Sequence, residues 1–254
     1  MEPPPSKSRS PRNRLHLPTP DSELEVVVTD DGSRTLARAS DGVTWHSESG
    51  ALAESQLVFL NNSGVLQRLQ ANRPTRVLEI GFGTGLNFWT TASIALRSAT
   101  RLNYLSLETK LLSPEVLYQL QHGSLEDCQP AFDRFFEKLV QRYHSSARQI
   151  RLNENNVQLT IQNLDATGFA IDEATFDAVY FDPFGPDDAP ELWQEPLFHS
   201  LHGALVPRGR LVTYCVKSEI RRRLSTVGFE VEKTAGPVGG KREVLVATRK
   251  PDPA

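Results

Sequence analysis

Apolar and polar positions along the chain fall into two periods. Short runs that alternate, or are apolar throughout, are separated by longer stretches with apolar residues every three to four positions. The short runs are 76–80, 103–108, 157–161, 176–182 and 209–216. The longer stretches are 86–98, 125–143, 191–205 and 218–227. Strands alternating with helices predict a doubly wound α/β sheet. Phe176 to Asp182 is nearly continuous apolar sequence, as expected of a strand covered on both faces. Ser113-Pro114-Glu115 has the cap-then-proline order that opens a helix, and Gly228 sits where a helix should stop. Phe229–Lys233 and Glu243–Thr248 predict a closing hairpin across 236–241. In 125–143, Phe132, Phe135, Phe136, Leu139, Val140 and Tyr143 keep mostly helical spacing and read as core.

A different pattern precedes this region. Leu24–Thr29 and Thr35–Arg38 flank Asp30-Asp31-Gly32, a strand–turn–strand signal, and Asp41-Gly42 precedes Val43-Thr44-Trp45. Residues 50–70 then read as helical. Residues 1–20, MEPPPSKSRSPRNRLHLPTP, are too rich in proline, serine and basic residues to bury a core, and predict a disordered tail with Lys7, Arg9, Arg12 and Arg14 solvated. The expected organisation is a tail at 1–20, a small β/α extension at 21–70 and a core at 71–254.

Composition narrows the function classes. Of the 254 residues, 39% are hydrophobic and 23% charged, the balance of a globular domain. The net charge of -3 provides no global basic field, so a polyanion site must be a local patch. Cys128 and Cys215 match no metal or redox spacing, which predicts no metal and a reducing compartment. No run of 18 apolar residues and no signal-peptide core is present, so the expectation is a cytoplasmic protein.

The candidate chemistry centres on Glu79-Ile80-Gly81-Phe82-Gly83-Thr84-Gly85-Leu86-Asn87. A dinucleotide fingerprint would want its third glycine where Leu86 stands, and no P-loop sequence occurs. A strand-ending carboxylate followed by G-x-G-x-G resembles the S-adenosylmethionine (SAM) site of class I methyltransferases. Glu108 ends the next strand, where this fold places an acceptor for ribose hydroxyls. Asp165, after 157–161, is a candidate acceptor for the adenine amine, although loop aspartates commonly just cap turns. Asp182 ends the apolar strand and opens the loop Asp182-Pro183-Phe184-Gly185-Pro186.

A closer resemblance runs from about residue 43 to 249. It is carried by Ala51–Leu60, Glu79–Phe88, Tyr104–Glu108, Asp182–Trp193, Thr213-Tyr214 and Gly239-Gly240-Lys241-Arg242-Glu243. In these stretches the chain resembles the methyltransferase domain of the bifunctional bacterial tRNA-modification enzyme MnmC and its stand-alone form, MnmD. The resemblance implies a Rossmann-like class I fold with a seven-stranded, mostly parallel sheet. It also implies SAM-dependent N-methylation of the 5-aminomethyl group of (2-thio)uridine at the tRNA wobble position. Carried over by position, Glu79, Gly81, Gly83, Gly85 and Asn87 line the methionine end of SAM, Glu108 holds the ribose and Asp165 the adenine, with Phe82 and Thr84 as further cofactor-binding positions. Asp182 is the implied catalytic carboxylate, and Phe184 and Pro186 shape the pocket over the methyl.

The RNA side rests on Lys217, Arg221, Arg222, Arg223, Lys241 and Arg242, whose phosphate contacts would weaken with salt, and on Trp193 as a base-stacking candidate. Arg221 to Arg223 span nearly a helical turn and cannot share one face.

Two departures stand out. Pro183 occupies a position where the family usually has glycine or alanine, and Asp-Pro-Phe-Gly is also similar to the D-P-P-Y/F loop of amino-group methyltransferases. Bifunctional members carry a flavin oxidoreductase domain, whereas this sequence has no second glycine fingerprint; a separate enzyme is then expected to supply the aminomethyl group. The alternatives are a methyltransferase or aminopropyltransferase acting on a small amine, and a catalytically silent SAM- or RNA-binding module.

Overall fold

A computed structural model describes residues 14–142, 147–170 and 174–251. Eleven strands and seven α-helices are formed among the described residues. Three short strands, β1 (His16–Pro18), β2 (Leu24–Val28) and β3 (Arg34–Arg38), form an antiparallel sheet by themselves. Helix α1 (Ala51–Glu54) widens into a π-helical turn at Ser55–Asn61, and α2 (Val65–Gln70) follows a left-handed Gly64. Then come β4 (Thr75–Ile80), α3 (Leu86–Arg97), β5 (Leu102–Glu108), α4 (Pro114–Gln119), α5 (Gln129–Arg142), β6 (Gln149–Glu154) and β7 (Val157–Asn163). The chain closes with β8 (Phe176–Phe181), α6 (Glu195–Ala204), β9 (Leu205–Thr213), α7 (Ser218–Thr226), β10 (Phe229–Ala235) and β11 (Glu243–Arg249).

The main sheet has the order β10-β11-β9-β8-β4-β5-β7-β6. Strands β9, β8, β4, β5 and β7 run parallel, while β6, β11 and β10 pair antiparallel at the edges. The sheet therefore has eight strands where seven were expected. The extra strand is β6, in which Ile150 and Leu152 are buried and alternate with polar residues. Asn155, at a φ of 49°, turns it back onto β7.

Alternation within the apolar strands sorts side chains onto the two faces of the sheet. From β4 and β8, Val77, Ala178 and Tyr180 enter a core with Phe88, Trp89, Tyr104 and Phe135. Leu78, Ile80, Val179 and Phe181 enter a second core with Trp193, Phe198 and Leu224. Burying each large side chain contributes roughly 1.5–3 kcal/mol. Leu24, Val26 and Leu36 of the small sheet share the first of these cores, so the N-terminal strands are packed onto the domain.

Other elements differ from expectation at their ends. The expected tail reached residue 20, yet His16–Pro18 is a strand paired with Glu25–Val27, and Arg14 bridges Asp30 and Glu48. Lys7, Arg9, Arg12 and Tyr143 lie outside the described residues. The expected helix at 50–70 is interrupted by its π turn and by Gly64, and that at 191–205 splits into a 3-10 turn at Pro190–Trp193 and α6. Ser113 caps α4 as read from the sequence, accepting a hydrogen bond from the Val116 N–H at 3.4 Å. Among the described residues, no helix is long and apolar enough to cross a membrane.

Candidate active site

Strand order reverses at β4, with β5 on one side and β8 on the other, and ligands of such sheets bind outside the carboxyl ends at that point. A cavity of about 650 Å³ opens there. Its lining includes Gly81, Phe82, Gly83, Thr84, Glu108, Asp165 and Asp182.

The glycine turn is built by backbone necessity. Gly81 has a φ of 91°, and a Cβ there would stand 2.8 Å from the Asp182 carbonyl oxygen. Glycine thus lets the ends of β4 and β8 touch. Gly85 turns the chain into α3 at a φ of 76°. Glu79 faces away from the cavity lining and is fully buried. Its carboxyl accepts from Asn87 Nδ2 at 3.1 Å and from Ser106 Oγ at 2.9 Å, and burial pushes its pKa up to about 8. Asn87 also donates to Asp182 Oδ2 at 2.8 Å and accepts from Ser55 Oγ at 2.7 Å. Glu79, Gly85 and Asn87 therefore stand behind the cavity floor. They hold its shape and fix Asp182.

Glu108 and Asp165 stand at the cavity wall. Glu108 Oε2 accepts from Gly83 N at 3.0 Å, and Oε1 accepts from Thr109 N and Lys110 N at 2.8 and 2.9 Å. Three backbone donors orient a carboxylate with about four acceptor positions, so acceptor capacity remains toward the cavity. Asp165 Oδ1 caps the 3-10 turn at Ala166–Gly168 by accepting from Thr167 N and Oγ1, both at 2.8 Å. It caps a turn and lines the cavity together.

Asp182 has an unusual electrostatic setting. Burial holds its carboxyl well above the usual carboxylate range, and the negative charges of Glu54 and Glu79 push the same way. The Asn87 hydrogen bond and the Lys241 charge oppose them. Glu54, the last residue of α1, is itself buried at the cavity, its pKa raised by burial, and its Oε2 accepts from Ser47 N at 3.1 Å. Tyr214 lies just after β9 and donates its hydroxyl to the Pro183 carbonyl at 2.7 Å. Pro183 is thus built into the loop, its carbonyl anchored by Tyr214.

The remaining candidates separate by burial. Phe184 lines the cavity, is 40% exposed and stands edge-on to Trp45 at 5.6 Å. Pro186 is not among the lining residues. Trp193 does not offer a face to a base: it is fully buried against Phe181, and its Nε1 donates to the Phe184 carbonyl at 2.8 Å. It anchors the loop from below. Lys241 and Arg242 are both exposed residues, but only Lys241 lines the cavity, with its ammonium 3.8 Å from the centre of the Tyr214 ring. Lys217 is paired with Asp187 at 2.6 Å, and Arg223 donates to the Trp193 carbonyl at 2.8 Å. Sequence reasoning missed Trp45, Glu54 and Tyr214 as site residues. Glu54 and Tyr214 lie within stretches of the resemblance and Trp45 just before them, but all three are 25 or more residues from the glycine turn, where no local spacing marks them.

The cavity fits SAM in kind: a glycine turn in its lining, a carboxylate with remaining acceptor capacity at the second strand end and a volume in the usual range for small-molecule ligands. A family model described as S-adenosyl-L-methionine-dependent methyltransferase matches residues 130–250. The bifunctional protein MnmC of Azoarcus sp. (strain BH72), named for tRNA 5-methylaminomethyl-2-thiouridine biosynthesis, is 33% identical over 233 residues. That match covers 89% of this chain and 35% of the relative, so the chain spans about a third of the length of the curated relatives it matches. The structure of MnmC2 from Aquifex aeolicus superposes with a TM-score of 0.72 at 26% identity, covering 94% of this chain and 75% of the other. Spermidine synthase from Thermotoga maritima, at 16% identity and a TM-score of 0.53 over 96% of this chain and 82% of its own, shares the fold alone. In fold, and over residues 130–250 in sequence, the chain is similar to class I S-adenosyl-L-methionine-dependent methyltransferases. Within that class the chain is MnmC-like in both sequence and structure.

Proposed function

We propose that the chain methylates the 5-aminomethyl nitrogen of (2-thio)uridine at the tRNA wobble position, giving 5-methylaminomethyl(-2-thio)uridine. The observation that carries this reading is the Asp182 carboxyl, held by Asn87 at the carboxyl end of β8 in the same cavity as the glycine turn and Glu108. The printed name of the Azoarcus relative, matched over 89% of this chain, supports the RNA substrate.

The glycine turn, Glu108 and Asp165 hold SAM by its ends. When bound, SAM supplies a methyl group already activated as a sulfonium. The chain must deliver a neutral amine to it. A primary alkylamine has a pKa near that of lysine, about 10, and is mostly protonated at neutral pH. Asp182 accepts that proton and frees the nitrogen lone pair. Its raised proton affinity suits the task, because a base takes a proton more readily as its own pKa approaches that of the donor. Asn87 fixes the carboxylate in position. In this reading a separate enzyme supplies the free aminomethyl group, and the reaction takes place in the cytoplasm.

The test is transfer of labelled methyl from SAM to bulk tRNA from a strain lacking the methyl step, followed by nucleoside mass spectrometry. A 5-methylaminomethyluridine product is expected. Label appearing only on small amines, or none on tRNA while calorimetry still detects SAM binding, would overturn the substrate assignment and keep the fold.

A further inference from the structure

One basic side chain of the cavity has no place in the mechanism above. Lys241 belongs to the hairpin between β10 and β11, whose tip at Val238 is 99% exposed. Its side chain turns back into the cavity and sets Nζ over the face of Tyr214, 3.8 Å from the ring centre. The cavity walls around it include the carboxyls of Glu54 and Asp182. Each of those carboxyls feels the Lys241 charge. Neither forms a direct ion pair with it, unlike the pairing of Lys217 with Asp187 or Lys233 with Glu243.

An aromatic face with flanking carboxyls is the chemistry that receives an alkylammonium ion. The end of a lysine side chain is a –CH2–NH3+ group. The substrate end in the function proposed above is also –CH2–NH3+, on a nucleobase rather than on a butyl stem. We infer that Tyr214, Glu54 and Asp182 form the seat of the substrate ammonium, and that Lys241 occupies this seat in the free protein as an internal mimic.

The arrangement accounts for three features together. It gives Glu54 a role at a site where a second buried carboxyl would otherwise only oppose ionisation of Asp182. It keeps the buried carboxyls compensated by a cation before substrate arrives. It also uses a plug that leaves easily: a flexible side chain, held by an aromatic face without an ion pair, on a hairpin tip that reaches into solvent. The substrate recognised is then a primary amine in its cationic form, and Asp182 takes the proton after the ammonium is seated. The identity of the amine rests on the function proposed above; the seat itself does not require RNA.

The experiment uses ethylammonium as the probe, titrated calorimetrically into the full chain and its variants. Lys241→Ala should bind ethylammonium at least tenfold more tightly than the wild type, because its seat is empty. Lys241→Arg, which keeps a cation, should stay at the wild-type value. Adding Tyr214→Leu or Glu54→Gln to Lys241→Ala should remove the gain. In the wild type, the Lys241 ε-methylene protons, assigned by their loss in Lys241→Arg, should resonate upfield from the Tyr214 ring current and return to an ordinary position as ethylammonium is added. Equal affinity in wild type and Lys241→Ala, or a Lys241 resonance that ethylammonium does not move, would overturn the seat. The NMR measurement needs no folded Lys241→Ala. Failure of methyl transfer to tRNA with the ethylammonium gain intact would overturn only the RNA substrate.

Discussion

Asp182 and Glu79 stand at the ends of neighbouring strands, yet their surroundings assign them different work. Asp182 reaches the cavity, Glu79 does not, and Asn87 donates to both. Asp182→Asn keeps the shape and the contact to Asn87 but cannot take a proton. The expected outcome is a fall in kcat of about 10²–10⁴-fold with unchanged SAM affinity, read by methyl transfer and calorimetry. Unchanged turnover would remove Asp182 from the chemistry. Glu79 governs stability instead. Its pKa is raised from 4.5 to about 8, so between these values the native state holds a proton that the unfolded chain has released. Stability from this group is full below pH 4.5 and is lost as pH rises toward 8. Glu79→Gln should flatten the decline across that window by up to about 1.4 kcal/mol per pH unit, measured as urea midpoints against pH. Asp182 and Glu54, also raised, keep their own declines in the variant.

Among the elements, the loop after β8 is the one held from several sides. Trp193 donates to the Phe184 carbonyl, Tyr214 to the Pro183 carbonyl, and Arg38 of β3 reaches Asp188 at 2.9 Å. None of these partners is local, and each uses a backbone carbonyl or an exposed carboxylate. Of the three anchoring side chains the tryptophan is the fully buried one. Trp193→Phe should preserve most of the ring packing while leaving the Phe184 carbonyl without its donor. A loss of about 1–3 kcal/mol is expected in urea unfolding, together with a higher KM for the amine substrate. A variant as stable as wild type would show that the loop does not depend on this bond. The π turn at Ser55–Asn61 acts on the opposite wall. It follows Glu54 directly and places Ser55 Oγ on Asn87, linking α1 to the residue that holds Asp182.

At the scale of the molecule, the small N-terminal sheet and the main sheet meet in one hydrophobic core, and the small sheet contributes Trp45 to the cavity just after β3. Arg34 adds a hydrogen bond to the Gln119 carbonyl at 2.8 Å. The expected consequence is a single cooperative unit: amide hydrogens of Val26 and Leu36 should exchange through the same global opening as those of Leu78 and Val179. Exchange of the first pair by a separate, lower-energy opening would show that the N-terminal sheet unfolds on its own. The strand-and-helix alternation, the glycine turn, the Ser113 cap and the carboxylates ending β5 and β8 were all legible, because each is written in residues close together in the chain. Strand β6 was legible in principle from Ile150 and Leu152, but a short edge strand with only two buried positions gives a weak alternation. The sequence by itself therefore determined the fold class, the glycine turn and the carboxyl that ends β8, since period, turn chemistry and strand ends are local properties. Only the tertiary structure decided which residues face the cavity. It turned Glu79, Asn87 and Trp193 inward as supports and brought Trp45, Glu54, Tyr214 and Lys241 to the wall, because side-chain direction and contacts between distant segments are set by packing.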